Sequence, residues 1–155
     1  MSTILDTIIE FFHQDDWHFE RAEDESYLRL GFKGEHGRWS CIAQALEERE
    51  QMVFYSVLPS VIPLERRGDV SEFITRANYG LLSGNFELDW NDGEVRYKTM
   101  VDVEGGALTL PMVRNLVHSN LFTVDRYFKG LMNVVYSDKS PALAVAESEN
   151  PESVH

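Results

Sequence analysis

The sequence is poor in cysteine, in positive charge and in long apolar runs. Cys41 is the single cysteine, so no internal disulfide and no cysteine-based metal cluster can form. A lone thiol suits a reducing compartment. Only 14 lysines and arginines stand against 26 aspartates and glutamates, for a formal charge of −12. That balance repels nucleic-acid phosphates and anionic lipid headgroups, so neither nucleic acid nor membrane is expected as a partner. It fits either high solubility or basic protein partners. No run approaches the ~18 apolar residues needed to span a bilayer. The opening stretch MSTILDTIIEFFHQDDW has neither the basic start nor the small-residue cleavage site of a secretory leader. A cytoplasmic protein is the expectation.

What is present is a packable chain. At 155 residues, with 43% hydrophobic and 12% aromatic content, one globular domain is expected. Thr3 and Asp6 form a capping box before Ile4, Leu5, Ile8, Ile9 and Phe12, which recur at helical spacing. The polar residues His13 to Asp16 end that helix, and a short extended piece is expected over residues 17–20 before the acidic loop AEDES. In YLRLGFK, Leu28, Leu30 and Phe32 alternate with Arg29, Gly31 and Lys33, the period of a half-buried strand. GEHG supplies a turn. RWSCIAQALE places Trp39, Cys41, Ala43 and Ala45 on one side of a second strand. QMVFYSVLP is apolar on both faces and reads as central. The short connections make an antiparallel meander.

PSVIPLERRGD interrupts the pattern with two prolines and a glycine. Asp69, with Glu72 three residues on, is the expected cap of a helix carrying Val70, Phe73, Ile74, Ala77 and Leu81, with Gly84 as its C-terminal glycine. A hairpin follows around NDG, a turn tolerant of positive φ. Phe86, Leu88 and Trp90 share one face of its first strand; Val95, Tyr97, Thr99, Val101 and Val103 share one face of its second. The remaining face collects Glu87, Asp89, Glu94, Arg96 and Lys98. Thr109 and Pro111 then open a long helix. Val113, Leu116, Val117, Leu121, Val124, Tyr127, Phe128, Leu131, Val134 and Val135 form its broad apolar stripe, opposite Arg114, His118, Asp125, Lys129 and Asn133. Residues 139–155 read as an acidic, flexible tail.

No catalytic constellation emerges. The five histidines lie outside H-E-x-x-H spacing, and no phosphate-binding glycine motif is present. His13, Asp15, Asp16 and His18 carry the right donors for a metal, against the simpler reading of a polar helix end. Cys41 on an apolar strand face reads as a small hydrophobe rather than a nucleophile. Arg66 and Arg67 form the one concentrated basic spot, either a contact for an acidic partner or a loop paired with nearby carboxylates. Trp90 is a candidate interface anchor, as are Trp17 and Trp39. Phe122 is the most pointed, because the helical wheel leaves it exposed.

The order helix, meander, helix, hairpin, long helix resembles the YbjN-type family, whose fold is like that of type III secretion chaperones. The features that carry it are the proline-bounded segment before the middle helix, Asn78 within RANYG, and GNFELD followed by DGEVRY. The resemblance covers most of residues 1–138. It implies an α+β protein with an antiparallel sheet backed by helices, commonly dimeric. Members are described as sensory-transduction regulators, and related chaperones hold partly extended clients. No catalytic or cofactor-binding residue comes with it. The expected protein is therefore a single domain over residues 1–138, of order α-β-β-β-α-β-β-α, followed by the tail. Its expected function is non-enzymatic protein binding, as a homodimer with a protein partner, through Phe122, Arg66, Arg67 and Trp90. Two alternatives stand beside this: a small-molecule-sensing domain, and a metal-dependent enzyme using the segment from His13 to His18. The working surface is expected on the outer charged face or free edge of the hairpin sheet.

Overall fold

The computed structural model describes residues 3–150. Its elements are α1 (Ile4–Gln14), β1 (Glu20–Arg21), β2 (Tyr27–Lys33), β3 (Arg38–Leu46), β4 (Gln51–Val57), α2 (Arg67–Asn78), β5 (Asn85–Leu88), β6 (Val95–Asp102), α3 (Leu110–Tyr136) and α4 (Pro141–Glu149). All six strands join one antiparallel sheet in the order β1-β2-β3-β4-β6-β5. The meander and the hairpin are as the alternation predicts. The hairpin docks through its second strand, with Phe54 opposite Thr99 at the β4–β6 seam.

Side-chain alternation gives this sheet two unlike faces. Leu28, Ala43, Phe54 and Thr99 share one row and are buried beneath the helices. Tyr27, Gln44, Val53 and Met100 form the neighbouring row on the side without helices. The core lies between the first face and helices α1, α2 and α3, with Phe12, Phe54, Phe73, Tyr97 and Tyr127 fully buried.

Helices α1, α3 and α4 start where a side-chain oxygen accepts from a backbone N–H of the first turn. At α1, Thr3 Oγ1 accepts from Asp6 N, the Asp6 carboxylate accepts from Thr3 N, and the Glu47 carboxylate accepts from both Ile4 N and Leu5 N at 3.0 Å. Such caps contribute about 1 kcal/mol each. Thr109 Oγ1 caps α3 by accepting from Met112 N. Helix α2 departs from expectation. A single 3₁₀ turn over Leu64–Arg66 feeds it directly, so it begins at Arg67, and Asp69 lies inside its first turn, 3.7 Å from Arg66. It also ends earlier, at Asn78, with Gly80 at φ 90° just beyond. Leu81 and Gly84 belong to the following loop.

Asn78 closes the free edge of the hairpin. Its side-chain oxygen accepts from Phe86 N at 2.7 Å, and its amide donates to Phe86 O at 3.1 Å. One amide thus satisfies the two outward backbone groups of Phe86 and blunts an exposed edge.

A buried polar network fixes α3 on the sheet. Trp39 Nε1 donates to Ser56 Oγ at 2.9 Å, and Ser56 Oγ donates to Asn120 Oδ1 at 2.6 Å. Asn120 Nδ2 lies within 3.2 Å of Phe54 O, Tyr97 O and Thr99 Oγ1, and Thr99 Oγ1 donates to Leu116 O. No buried side-chain polar atom among the described residues lacks a partner.

The expected flexible tail is corrected over most of its length. Residues 141–149 form α4, capped by Ser140, with Pro141, Ala144 and Val145 buried against α2 and α3. Gly130 permits the approach: a β-carbon there would collide with Ser148 Oγ and come within 3.0 Å of Ala144 O. Arg126 donates to the Ser148 and Glu149 carbonyls, and Tyr127 donates to the Glu149 carboxylate at 2.6 Å. The packed body therefore extends past residue 138. Residues 151–155 of the expected tail lie outside the described residues.

Candidate functional site

The clearest concavity on the helix side lies where the β2–β3 turn meets α3. The turn Gly34-Glu35-His36-Gly37 is clamped by Asp125, whose carboxylate accepts from Glu35 N at 3.1 Å and His36 N at 2.9 Å. His36 Nδ1 lies 3.1 Å from Asp125 O. The glycines of GEHG serve this close approach. A β-carbon at Gly34 would overlap the Asp125 carboxylate, and one at Gly37 would overlap the Phe128 ring.

Beside the clamp runs a groove of about 610 Å³ whose walls include Trp17, Phe32, Leu121 and Phe122. Trp17 stacks on Phe32 with ring centres 6.0 Å apart and sits edge-on to Phe12 at 5.6 Å, which holds this wall rigid. Phe122 is 71% exposed, as the helical wheel predicts, and His118 lies edge-on to it. The rim is charged: Lys33, Glu35 and Asp125 line it, and Asp15 approaches His118 at 3.9 Å. An apolar floor with one exposed aromatic and a polar rim has the anatomy of a protein-contact surface.

The other predicted interface residues lie elsewhere. Arg67 donates to Ile62 O and Trp90 O, both at 2.9 Å, so its guanidinium ties the proline-rich segment to the hairpin turn. Arg66 pairs with Asp69 at 3.7 Å and Asp138 at 4.0 Å. Trp90 lies beyond the end of β5 in the turn and is 53% exposed, which corrects its expected place on the covered face with Phe86 and Leu88.

The metal alternative is also corrected. His13 packs its ring on Phe19, and Asp15 accepts from Trp17 Nε1 at 3.4 Å, so the four donors of this segment do not converge. Among the described residues, the one group of three donors within 4.8 Å is Glu35, His36 and Asp125. The backbone bonds of the clamp account for that cluster. Cys41 is buried, and burial pushes its thiol up to about 12 against weaker opposing hydrogen bonds from Ser56 and Trp39. It is a core residue, not a nucleophile.

Sequence reasoning missed Asn120 and the clamp role of Asp125. A polar residue breaking the apolar stripe of α3 was the available signal for the first. Nothing local links Asp125 to GEHG.

A one-layer antiparallel sheet, backed on one side by helices and carrying an aromatic-rimmed groove, defines a small α+β protein of the type III secretion chaperone-like fold. The chain belongs to the YbjN family, described as "Putative bacterial sensory transduction regulator", which it matches over residues 5–132. Among solved structures, "Crystal structure of YbjN, a putative transcription regulator from E. coli" shares 13% identity at a TM-score of 0.61, covering 86% of this chain and 93% of that one. A chain of "Structure of the HopA1-SchA Chaperone-Effector Complex" shares 12% identity at a TM-score of 0.51, covering 75% and 85% respectively. A chain of "Crystal Structure of the ExsC-ExsE Complex" shares 16% identity at a TM-score of 0.54, covering 81% and 91%. No functionally curated protein matches the chain. Helix α4 lies beyond the family match. Among the described residues, no helix is long and apolar enough to cross a membrane.

Proposed function

We propose that this chain is a non-enzymatic protein-binding module of chaperone-like or regulatory type, cytoplasmic and homodimeric, with the groove at Phe122 as its contact for a protein partner. The observation that carries this reading is the groove itself: a rigid aromatic wall, an exposed phenylalanine and a charged rim. The similarity to folds taken from a chaperone–effector complex supports it. An aromatic anchor of this kind contributes on the order of 2 kcal/mol, about thirtyfold in affinity. Affinity capture from the native cytosol with wild type and Phe122→Asp provides the test. The substitution is expected to strip out the specific partner. Identical partner sets from both proteins would remove the groove from the reading.

A small-molecule sensor is the second reading, favoured by the volume of the groove, which lies within the range of ligand pockets. Native mass spectrometry separates the two: a retained small molecule displaced by Phe122→Asp supports sensing.

A further inference from the structure

The few basic residues of this chain are unevenly placed. Three of its 14 lysines and arginines, Arg126, Lys129 and Lys139, line one pocket of about 430 Å³ where α3, α4 and the GEHG turn meet. Only one of its 26 acids, Glu147, lines it with them. The chain as a whole has nearly two acids for every base, so composition alone predicts the opposite lining. The pocket exists because α4 packs on α3 at Gly130, and it takes in residues beyond the family match.

The fold sets these groups in place. Helical spacing puts Arg126, Lys129 and Asn133 on one face of α3, with the buried Gly130 among them. Arg126 donates through Nε to Ser148 O at 3.3 Å and through Nη2 to Glu149 O at 3.0 Å. Both acceptors are neutral carbonyls, so the guanidinium is held still with its charge uncancelled. Neither Arg126 nor Lys129 makes an ion pair within 4.0 Å among the described residues. Lys139 is half-buried and paired with Glu147. Two carboxylates nearby are turned elsewhere: Glu149 accepts from the Tyr127 hydroxyl, and Asp125 accepts from Glu35 N and His36 N. His36 also lines the pocket, with Nδ1 committed to Asp125 O at 3.1 Å. Two positive charges are thus left without a carboxylate in a chain of net charge −12.

We propose that this pocket binds a small soluble molecule that carries a phosphate group. The phosphate sits against Arg126, Lys129 and Lys139, whose charged donors suit its oxygens. The Asn133 amide and the Ser148 hydroxyl meet a polar body, for which a pocket of this volume has room. Bound there, the ligand bridges α3 and the segment around α4, so binding and the docking of α4 support one another. The site shares no lining residue with the groove at Phe122 and stands or falls independently of it.

The probe is ribose 5-phosphate, titrated into the isotope-labelled full chain at constant ionic strength, with ribose as control. Backbone amide shifts around residues 126–149 should saturate with a Kd of about 1 mM or tighter, and ribose should move none. Lys129→Gln should weaken binding about tenfold, which corresponds to about 1.4 kcal/mol, at an unchanged melting temperature. Glu147→Gln should tighten binding, because it removes the one carboxylate of the lining and frees Lys139. A purely structural role for these residues predicts no such gain. Arg114→Gln, which removes an exposed cation of α3 outside the pocket, should leave the affinity as it is. Bound probe should also slow amide exchange over Pro141–Glu149. The proposal is overturned by absence of saturable shifts, by an equal response to ribose, or by α4 exchange that the probe leaves unchanged. It is overturned equally if Lys129→Gln binds as wild type does, if Arg114→Gln weakens binding as much, or if Glu147→Gln fails to tighten it. Co-sedimentation with vesicles of phosphatidylcholine and phosphatidic acid, lost in Lys129→Gln, would overturn the soluble ligand by giving the phosphate to a lipid headgroup.

Discussion

Asn120 occupies a position on α3 where the surrounding stripe is apolar, yet it is fully buried and completely bonded. Its amide meets a strand carbonyl on each side of the β4–β6 seam, so it sets both the height and the register of α3 on the sheet. Replacing it removes the acceptor of the Ser56 hydroxyl and leaves buried polar groups unpaired, each costing about 1–3 kcal/mol. Asn120→Leu is therefore expected to destabilise the protein by roughly 3 kcal/mol, lowering the melting temperature by about 6–12 °C. Because Ser56 and Asn120 form one network, Ser56→Ala combined with Asn120→Leu should cost less than the sum of the single changes. Strict additivity in thermal or urea unfolding would show that the network is not a unit.

At the scale of elements, legibility followed locality. The meander, the capping box of α1 and the whole of α3 were readable because their signals lie within a few residues: a period of two, a Thr–Asp pair, an apolar stripe. Helix α4 was not, since PALAVAESE has small residues and little amphipathic contrast. Its packing is decided by Gly130 and Tyr127 on another helix. Trp90 was misplaced for a related reason: the alternation of β5 stops at Leu88, and a turn re-aims the next residues. At the site, Phe122 was legible from the wheel alone. Its groove was not, because Trp17, Phe32 and Asp125 come from three separate segments. The contact of α4 has a pH dependence with a definite sign. Burial first, then the Glu149 carboxylate, raises the Tyr127 pKa above its ordinary value of about 10. The neutral phenol is thus favoured in the folded state, and the stability it contributes is full below pH ~10 and lost as pH rises beyond it. Urea midpoints measured from pH 9 to 11 should fall for wild type and fall less for Tyr127→Phe. Parallel curves would mean that the phenol does not couple to unfolding. Gly130→Ala should act on the same contact by wedging α4 outward, with amide exchange rising over Pro141–Glu149 before it rises over the sheet.

Across the whole molecule the charge is strongly acidic, with 26 aspartates and glutamates against 14 lysines and arginines. This gives the proposed homodimer a definite response to salt. Two copies of a chain with net charge −12 repel one another over a Debye length of about 30 Å at 0.01 M salt, and much less over about 10 Å at 0.1 M. A homodimer held by apolar contacts should therefore tighten as salt is raised through this range. Sedimentation equilibrium at both ionic strengths reads this dependence. A mass that stays at 17.8 kDa at micromolar concentration in both salts would sink the homodimer and leave the groove at Phe122 untouched. A dimer that instead dissociates as salt rises would place its interface between unlike charges.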